Sequence, residues 1–406
     1  MSRQSQRWWS RLFGAQESGL TLVIIAMGIV LTLFGGHKQK TTRQAIAPGE
    51  TVRLYDASGQ AHEPGTLPDR SITRIVITSA DGRERSLTGS LAYREASGER
   101  FITVGRAVNR FLELENVVLV MKDASFIAVM AVGMTGVIIL AGIDLSVGSI
   151  YAMSAIVGAI VLHELGSGAG GAVAVAAGLG VTLLVGAMCG LANGVMIVGL
   201  RVHPFVITLG MMAALRGLTI IIPQKIYHAQ SIAGFPPGFT SGFFKKEIAG
   251  VYPVPVIIML LIAAAGWFVL TRTVLGRRVF AIGGNETAAR YAGIPVGRVK
   301  IIVYAMMGLL AGLSSCMYLG YLGSAETGAG TAYELKVIAA AVIGGASLMG
   351  GRGSALGAVL GAIVIQLIDN AMIIFQIDQN LNQVVMGAAI IIAVVIDQAK
   401  RRIGTR

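Results

Sequence analysis

Charged residues are scarce in this chain: they make up 13% of its 406 residues, whereas 54% are hydrophobic. Soluble domains of ordinary composition carry about a quarter charged residues. Several apolar runs approach or exceed the roughly 18–20 residues that a helix needs to cross a bilayer. The scarcity of charge therefore excludes an ordinary soluble protein, and the apolar runs predict an all-α polytopic membrane protein.

Cysteine is almost absent as well, since the chain contains only Cys189 and Cys316. Both lie in apolar runs and show no metal-ligand spacing, so we interpret them as small core residues and expect no metal site. No G-x-x-x-x-G-K-[ST] phosphate loop occurs anywhere in the sequence. The chain is therefore not expected to hydrolyse ATP by itself, and we assign it no catalytic residue and no cofactor.

Glycine, in contrast, is abundant, and much of it lies inside apolar runs, where it lets helices approach closely. Gly353, Gly357 and Gly361, spaced four residues apart, are interpreted as a helix-packing ridge rather than as a dinucleotide loop. The formal net charge of +12 does not predict a nucleic-acid partner, because aromatic and basic residues do not interleave. The basic residues cluster at the ends of apolar runs, as the positive-inside bias requires.

About ten membrane spans are predicted from the apolar stretches. They cover residues 20–36, 124–142, 149–162, 172–200, 204–222, 252–271, 299–323, 332–351, 354–375 and 381–397. Arginines precede the first stretch, so residues 1–36 are predicted to be a cytoplasmic amino terminus followed by a retained span. Residues 116–397 form the transmembrane core. An even number of spans then places the basic tail, 398–406, in the cytoplasm as well.

A polar segment, 37–115, separates the first span from the others. It contains strand-like runs at 50–56 and 71–78, and Asp81-Gly82 is typical of a hairpin turn before a returning strand at 85–95. Long loops translocate regardless of charge. The pattern predicts a small β-containing extracytoplasmic insertion without a cluster of catalytic type.

The segment 272–300 is polar and basic and lies between two predicted spans, which places it in the cytoplasm. Asn285 is predicted to cap a short helix that Gly293 and Pro295 then end. Such a surface helix can transmit a movement of a soluble partner to the membrane spans. The alternative is an ordinary cytoplasmic loop.

Polar residues within or beside the spans are few, and a polar group at membrane depth is a functional candidate by default. The candidates for a solute pathway are Asp144, Asn193, Gln366, Asp369 and Asn370. Each also has a structural interpretation. Asp144 is predicted to cap the third helix through its first-turn amides, and the other side chains are suited to hydrogen bonds between helices.

Long stretches of the chain resemble the permease subunits of ribose- and xylose-type bacterial ABC importers. They are AVGMTGVIILAGIDLSVGSIYAMSAIVGA, HPFVITLGMMAALRGL, GRRVFAIGGNETAARYAGIPVGRVKIIVYAMMGLLAGLSS and AYELKVIAAAVIGGASLMGGRGS. The resemblance covers roughly 111–397 and the first span. It implies a multi-pass protein of the bacterial inner membrane that imports a monosaccharide and carries out no covalent chemistry.

The same resemblance implies the partners and the coupling residues. The partners are a separate ATP-binding subunit, of single or tandem form, a solute-binding protein, a second permease chain, identical or not, and membrane lipid. Segment 272–300 becomes the coupling loop, whose residues are Gly284, Asn285, Glu286, Thr287, Ala288, Ala289, Arg290 and Gly293. Here Thr287 occupies the position of the family's glutamate in its E-A-A-x-x-x-G pattern, and Glu286 stands one position earlier.

Two questions stay open on sequence alone. The solute is one: a nucleoside or an autoinducer would suit the same machinery, and a stand-alone secondary carrier is the alternative from another class. The insertion is the other, because family members have a much shorter connection there. Either it takes part in docking a binding protein, or it is a tolerated decoration.

Overall fold

The computed structural model describes residues 15–64, 66, 71–79, 81–88, 90–96, 99–166, 168–248, 251–389, 391 and 395. The chain divides into two compact units. One is Val30–Glu113, and the other comprises Met1–Ile29 and Leu114–Arg406. The amino-terminal arginines and the basic tail, on which the predicted sides of the termini depend, lie outside the described residues.

Helices make up most of the larger unit, although the first of them ends within the smaller unit, and the long ones are apolar around their whole circumference, as expected for membrane spans. They are α1 (Ala15–Phe34), α2 (Leu114–Ile139), α3 (Val147–Leu165), α4 (Gly171–Leu200), α5 (Pro204–Tyr227), α6 (Pro253–Arg272), α7 (Val274–Gly284), α8 (Glu286–Tyr291), α9 (Val296–Leu322), α10 (Tyr333–Ile343) and α11 (Ala355–Ile374). A last helical stretch covers 382–389. Helices α2, α3, α9 and α11 are largely buried, whereas α4, α5 and α6 expose most of their surface.

Eight of these helices are long and apolar enough to cross a membrane, counted over the described residues. The prediction of about ten spans is therefore not confirmed. The difference lies at two places. The predicted span 332–351 contains the 11-residue helix α10, followed by an irregular segment rich in glycine. The predicted span 381–397 is helical over 382–389, and most of its remainder lies outside the described residues.

Glycine brings the helices of the bundle into backbone contact. A Cβ atom built on Gly190 of α4 would lie 2.2 Å from the carbonyl oxygen of Tyr304 in α9, and one on Gly308 would lie 2.1 Å from that of Gly186. Gly357 and Gly361 of α11 show the same closeness to α10 and its end, at 2.0 Å from backbone oxygens. The predicted close helix packing is confirmed at Gly357 and Gly361, whereas Gly353 lies before α11 and faces the side chains of Ile139 and Thr135.

The smaller unit consists of antiparallel strands: β1 (His37–Ala45), β2 (Thr51–Tyr55), β3 (Ala61–His62), β4 (Arg74–Thr78), β5 (Glu84–Thr88), β6 (Ser90–Ala96) and β7 (Glu99–Asn109). They form two sheets, in the orders β1-β7-β6 and β3-β2-β4-β5. Branched aliphatic side chains from both sheets share one core, namely Leu54, Ile75, Ile77, Leu91 and Ile102. This core explains why so short a segment has regular structure.

Strand boundaries in this unit differ from the predicted ones at two points, since the predicted run 71–78 forms a strand only over Arg74–Thr78, and the returning strand is divided. The turn at Gly82 (φ +79°) joins β4 to β5, as the Asp-Gly pair predicts. The predicted single returning strand, 85–95, is instead two strands in different sheets, because β5 pairs with β4 while β6 pairs with β7.

Candidate coupling site

The segment 272–300 contains two consecutive helices, α7 and α8, where the sequence predicts one. The predicted cap is confirmed, since the Asn285 side-chain oxygen accepts a hydrogen bond from the Ala288 amide at 2.9 Å. The predicted end is confirmed too: Gly293 lies in the left-handed region at φ +80°, and α9 begins directly after Pro295. A left-handed residue after a helix is most often glycine, because glycine adopts this conformation without strain.

Helix α7 was missed, although the sequence carries two features that indicate it. The hydroxyl of Thr273 accepts a hydrogen bond from the Gly276 amide at 3.2 Å, which is an N-cap at the start of the helix. Gly276, Val279 and Ile282 recur every three residues and are the buried face. The run is short, so its helical period is obscured by the adjoining span.

Glycine seats the end of α7 against two other parts of the bundle. A Cβ atom on Gly283 would lie 1.7 Å from the carbonyl oxygen of Ile139, at the end of α2, and 2.7 Å from the amide of Gly351. That amide donates a hydrogen bond to the same Ile139 oxygen at 2.8 Å. A displacement of α7 is therefore passed directly to α2 and to the segment before α11. Gly284, next in the chain, has open space around it.

Helix α8 is tied to the first turn of α9 by an ion pair. The Glu286 carboxylate accepts hydrogen bonds from Lys300 at 2.8 Å and from Arg290 at 3.0 Å. The hydrogen bond from Lys300 is the main reason that the pKa of Glu286 lies below its ordinary value. The pair joins a six-residue surface helix to a 27-residue span.

The outward face of α8 is small and carries one aromatic ring. Ala289 is buried against the bundle, whereas Thr287, Ala288 and Arg290 are exposed. Tyr291 is 87% exposed. Sequence reasoning missed this tyrosine, although it is an aromatic residue in an otherwise polar and basic segment. The exposed residues of α8 are therefore Thr287, Ala288, Arg290 and Tyr291, whereas Ala289 is buried.

Asp144 and Asn193 meet in a buried polar cluster. Asp144 accepts hydrogen bonds from the Ser146 amide at 2.9 Å and from the Ser146 hydroxyl at 2.5 Å. The Asn193 side-chain amide donates to the same hydroxyl at 2.8 Å. The prediction that Asp144 caps the third helix is wrong in detail. Ser146 is at the N-cap position, and Asp144 folds the turn before it.

The remaining pathway candidates lie on α11, and two of them bond to other helices. Asp369 binds Lys336 and Asn382, both at 2.7 Å, and Asn370 exchanges hydrogen bonds with Asn116 at 2.7 and 3.2 Å. Gln366 is half-buried on the same helix. These bonds agree with the structural interpretation, polar links between helices. Neither Asp369 nor Asn370 shares a hydrogen-bond partner with Asp144 or Asn193.

These features define a class: a polytopic membrane protein with a capped surface helix seated on the ends of its spans. Its family follows from comparison with known proteins. The family described as "Branched-chain amino acid transport system / permease component" matches residues 116–394. The chain belongs to this family of membrane permeases. The strand unit lies outside the matched range.

Individual relatives agree with the family assignment. The ribose import permease protein RbsC of Escherichia coli K12 is 39% identical over 298 residues, 72% of this chain and 88% of the relative. The D-allose transport system permease protein AlsC of the same strain is 38% identical, covering 71% and 85%. The autoinducer 2 import system permease protein LsrD of Photorhabdus laumondii is 32% identical, covering 72% and 85%. No solved structure matches the chain.

Proposed function

We propose that the chain is the membrane-spanning subunit of an ATP-driven importer and that α8 receives the drive from a separate ATPase. The observation that carries this proposal is the set of contacts that hold α8 against the ends of the spans. Its Asn285 cap fixes the start, the Glu286–Lys300 pair at 2.8 Å joins it to α9, and Gly283 seats the preceding helix on Ile139. A displacement of α8 by a partner is therefore transmitted to at least two spans, α9 and α2.

The contact with the ATPase is made by Thr287, Ala288 and Tyr291. Small side chains at the first two positions let a short helix enter a cleft, and the exposed ring of Tyr291 offers apolar area at its end. Glu286 serves within the chain, because both of its oxygens are engaged by Arg290 and Lys300. The glutamate thus stands one position before the place in the family pattern and pairs within the chain.

The assembly follows from the same proposal. The protein lies in the bacterial inner membrane with both termini in the cytoplasm, the strand unit outside and segment 272–300 inside. A second permease chain completes the pathway, and a solute-binding protein delivers the solute. The exposed helices α4, α5 and α6 supply the surface for the second chain and for lipid. The strand unit takes part in docking the binding protein.

The proposed solute is a monosaccharide of the ribose, xylose or galactose kind, which the similarity to ribose and allose permeases supports. A second candidate is autoinducer 2, because an autoinducer permease is 32% identical over 72% of the chain. Uptake of radiolabelled ribose, allose and autoinducer 2 by cells expressing the complete transporter separates the two. If the cells take up autoinducer 2 and neither sugar, autoinducer 2 replaces the monosaccharide as the proposed solute.

The experiment that tests coupling is purification from native membranes without crosslinking, followed by identification of the co-purifying proteins. The test variant is Ala288→Arg, which places a long charged chain on the exposed face of α8. The matched control is Ala281→Arg, at an exposed alanine of α7. We expect an ATPase to co-purify with the wild-type protein and with the control. We expect no ATPase to co-purify with the Ala288→Arg variant.

The opposite results have distinct meanings. If no ATPase accompanies the wild-type protein in mild detergent, and uptake collapses with the ion gradient, the protein is a secondary carrier. If the ATPase still co-purifies with the Ala288→Arg variant, the proposal of an ATP-driven importer is retained, but α8 is not the helix that docks to the ATPase.

A further inference from the structure

A basic groove lies beside α8 and is formed by two separate parts of the chain. One wall is the link between α4 and α5, with Arg201 and His203, and the other is α8 and the first turn of α9, with Arg290, Arg298 and Lys300. The groove has a volume of about 940 Å³. It is thus large enough to hold a phosphate-bearing headgroup with its glycerol.

The charge of this groove is not balanced within the chain. Four arginine and lysine side chains line it against one carboxylate, Glu286, so the excess is three positive charges with His203 neutral. Glu286 is already bonded to Arg290 and Lys300. Arg201 and Arg298 form no ion pair with any residue that the structure describes, and both are exposed. Two free guanidinium groups facing one cavity are suited to binding a phosphate.

The position of the groove selects the source of that phosphate. It opens where α4 ends at Leu200, α5 begins at Pro204 and α9 begins at Val296, so it lies at the boundary of the apolar spans. Beside it, Leu200, Phe205 and Val206 are 63%, 44% and 56% exposed. Apolar residues also line its floor, among them Val198 and Ile301. A free phosphate would leave this apolar surface uncovered, whereas the acyl chains of a phospholipid would cover it.

We propose that the groove binds the headgroup of an anionic phospholipid, with its phosphate on Arg201 and Arg298 and its acyl chains along Leu200, Phe205 and Val206. Basic pockets between membrane helices are known to hold such headgroups. A lipid held there touches both α8 and the link between two spans. Its binding therefore stabilises the position of the coupling helix relative to α4 and α5. The inference rests on the chain being a membrane permease and does not depend on its solute or its ATPase.

The test uses the full chain without partners, reconstituted in phosphatidylcholine nanodiscs with a minor fraction of phosphatidylglycerol. Phosphatidylglycerol that stays bound after transfer to detergent is counted by native mass spectrometry. The variant is Arg201→Gln with Arg298→Gln, and the control is Arg277→Gln with Arg278→Gln, which removes two exposed charges from α7. At about a fivefold change per basic residue, we expect about 25-fold weaker phosphatidylglycerol binding in the groove variant and little change in the control.

Three results would overturn the proposal. Equal loss in the groove variant and the control would mean that only overall surface charge attracts the lipid. Displacement of the bound lipid by millimolar inorganic phosphate would identify a free-phosphate site. Equal retention of phosphatidylglycerol and phosphatidylcholine by wild type would show that the groove does not select an anionic headgroup. Should the double variant not fold, Arg201→Gln and Arg298→Gln singly give the same test with about a fivefold expected loss.

Discussion

The helical bundle and the strand unit are held together in opposite ways. In the bundle, glycines such as Gly190 and Gly308 let backbones touch, and little apolar side-chain volume lies between the two helices. In the strand unit, Leu54, Ile75 and Ile102 fill the space between two sheets and are fully buried. Lipid offers helices no hydrophobic gain on association, so close packing must supply the attraction, whereas a small sheet domain depends on burying side chains. Adding atoms should therefore damage the bundle, and removing atoms should damage the strand unit.

The largest effect is expected from Gly190→Leu. A side chain there meets the Tyr304 carbonyl oxygen at 2.2 Å and backbone atoms of Gly308 at 2.9–3.0 Å, and neither helix can yield without separating from the other. We expect a loss of about 3 kcal/mol or more in the stability of the bundle. Thermal unfolding in detergent, followed by size-exclusion chromatography, measures it.

The control for this prediction is Gly180→Leu on the same helix. Nothing lies within 4 Å of a Cβ atom at Gly180, so the same added volume meets no neighbour within the chain. An equal loss of stability in the two variants would show that the close approach of the helices at Gly190 is not the cause of the loss, since leucine is a better helix former than glycine at both positions. The claim that close backbone packing holds the bundle together would then be wrong.

The converse change, Leu54→Ala, tests the strand unit. Leu54 is 0% exposed and packs in the core between the sheets. Removing its side-chain atoms leaves a cavity, and the expected cost is about 2–5 kcal/mol. Limited proteolysis should cut within Val30–Glu113 while the bundle keeps its unfolding temperature.

Thr51→Ala, at an exposed position of the same strand, is the control and should leave the proteolysis pattern unchanged. A fall in the unfolding temperature of the bundle with Leu54→Ala would show that the two units do not unfold independently. It would contradict the division of the chain into two separate cores.

A smaller effect is expected at α8, which depends on neither kind of packing. Asn285→Ala removes the hydrogen bond to the Ala288 amide, and the expected cost is about 1 kcal/mol of local helix stability. Hydrogen exchange of the amides in 286–291 should accelerate about fivefold, with no change in the unfolding of the bundle. Asn285→Asp keeps an accepting oxygen and should restore the protection. If it does not, the cap is not what holds this helix.

Patterns that depend on the neighbouring residues alone were predicted well. The cap at Asn285, the turns at Gly82 and Gly293 and the packing role of Gly357 and Gly361 all follow from local chemistry. The positions of Asp144 and Asn193 in one cluster did not follow, because both bond to Ser146, which is 47 residues before Asn193 in the chain. The ion pair of Glu286 with Lys300 and the inward orientation of Ala289 likewise depend on where α8 rests, which no local pattern encodes.

The grouping of polar and charged side chains in space was harder to predict than the helices and strands themselves. Asp369 and Asn370 stand next to each other in sequence and look like one polar site, yet they bond to different helices. Arg201 and Arg298 are nearly a hundred residues apart, and only the fold places them on one groove. Sequence shows which residues carry charge, and the packing of distant helices decides which of those charges remain free.

The smallest effect is a pH dependence of α8 alone. The pKa of Glu286 is lowered in the folded chain from its ordinary value of 4.5, mainly by Lys300 and then by Arg290, so its ion pairs stabilise α8 at neutral pH. That stabilisation is complete above pH 4.5 and is lost as the pH falls through the lower, folded value. Because Glu286 is 40% exposed and the pair with Arg290 is screened by water, the expected size is ~0.5 kcal/mol. Comparing hydrogen exchange of wild type with Glu286→Gln at each pH cancels the intrinsic pH dependence of exchange. The two should differ at neutral pH and converge under acidic conditions, and a difference that persists in acid would mean that Glu286 holds α8 by packing and not by charge.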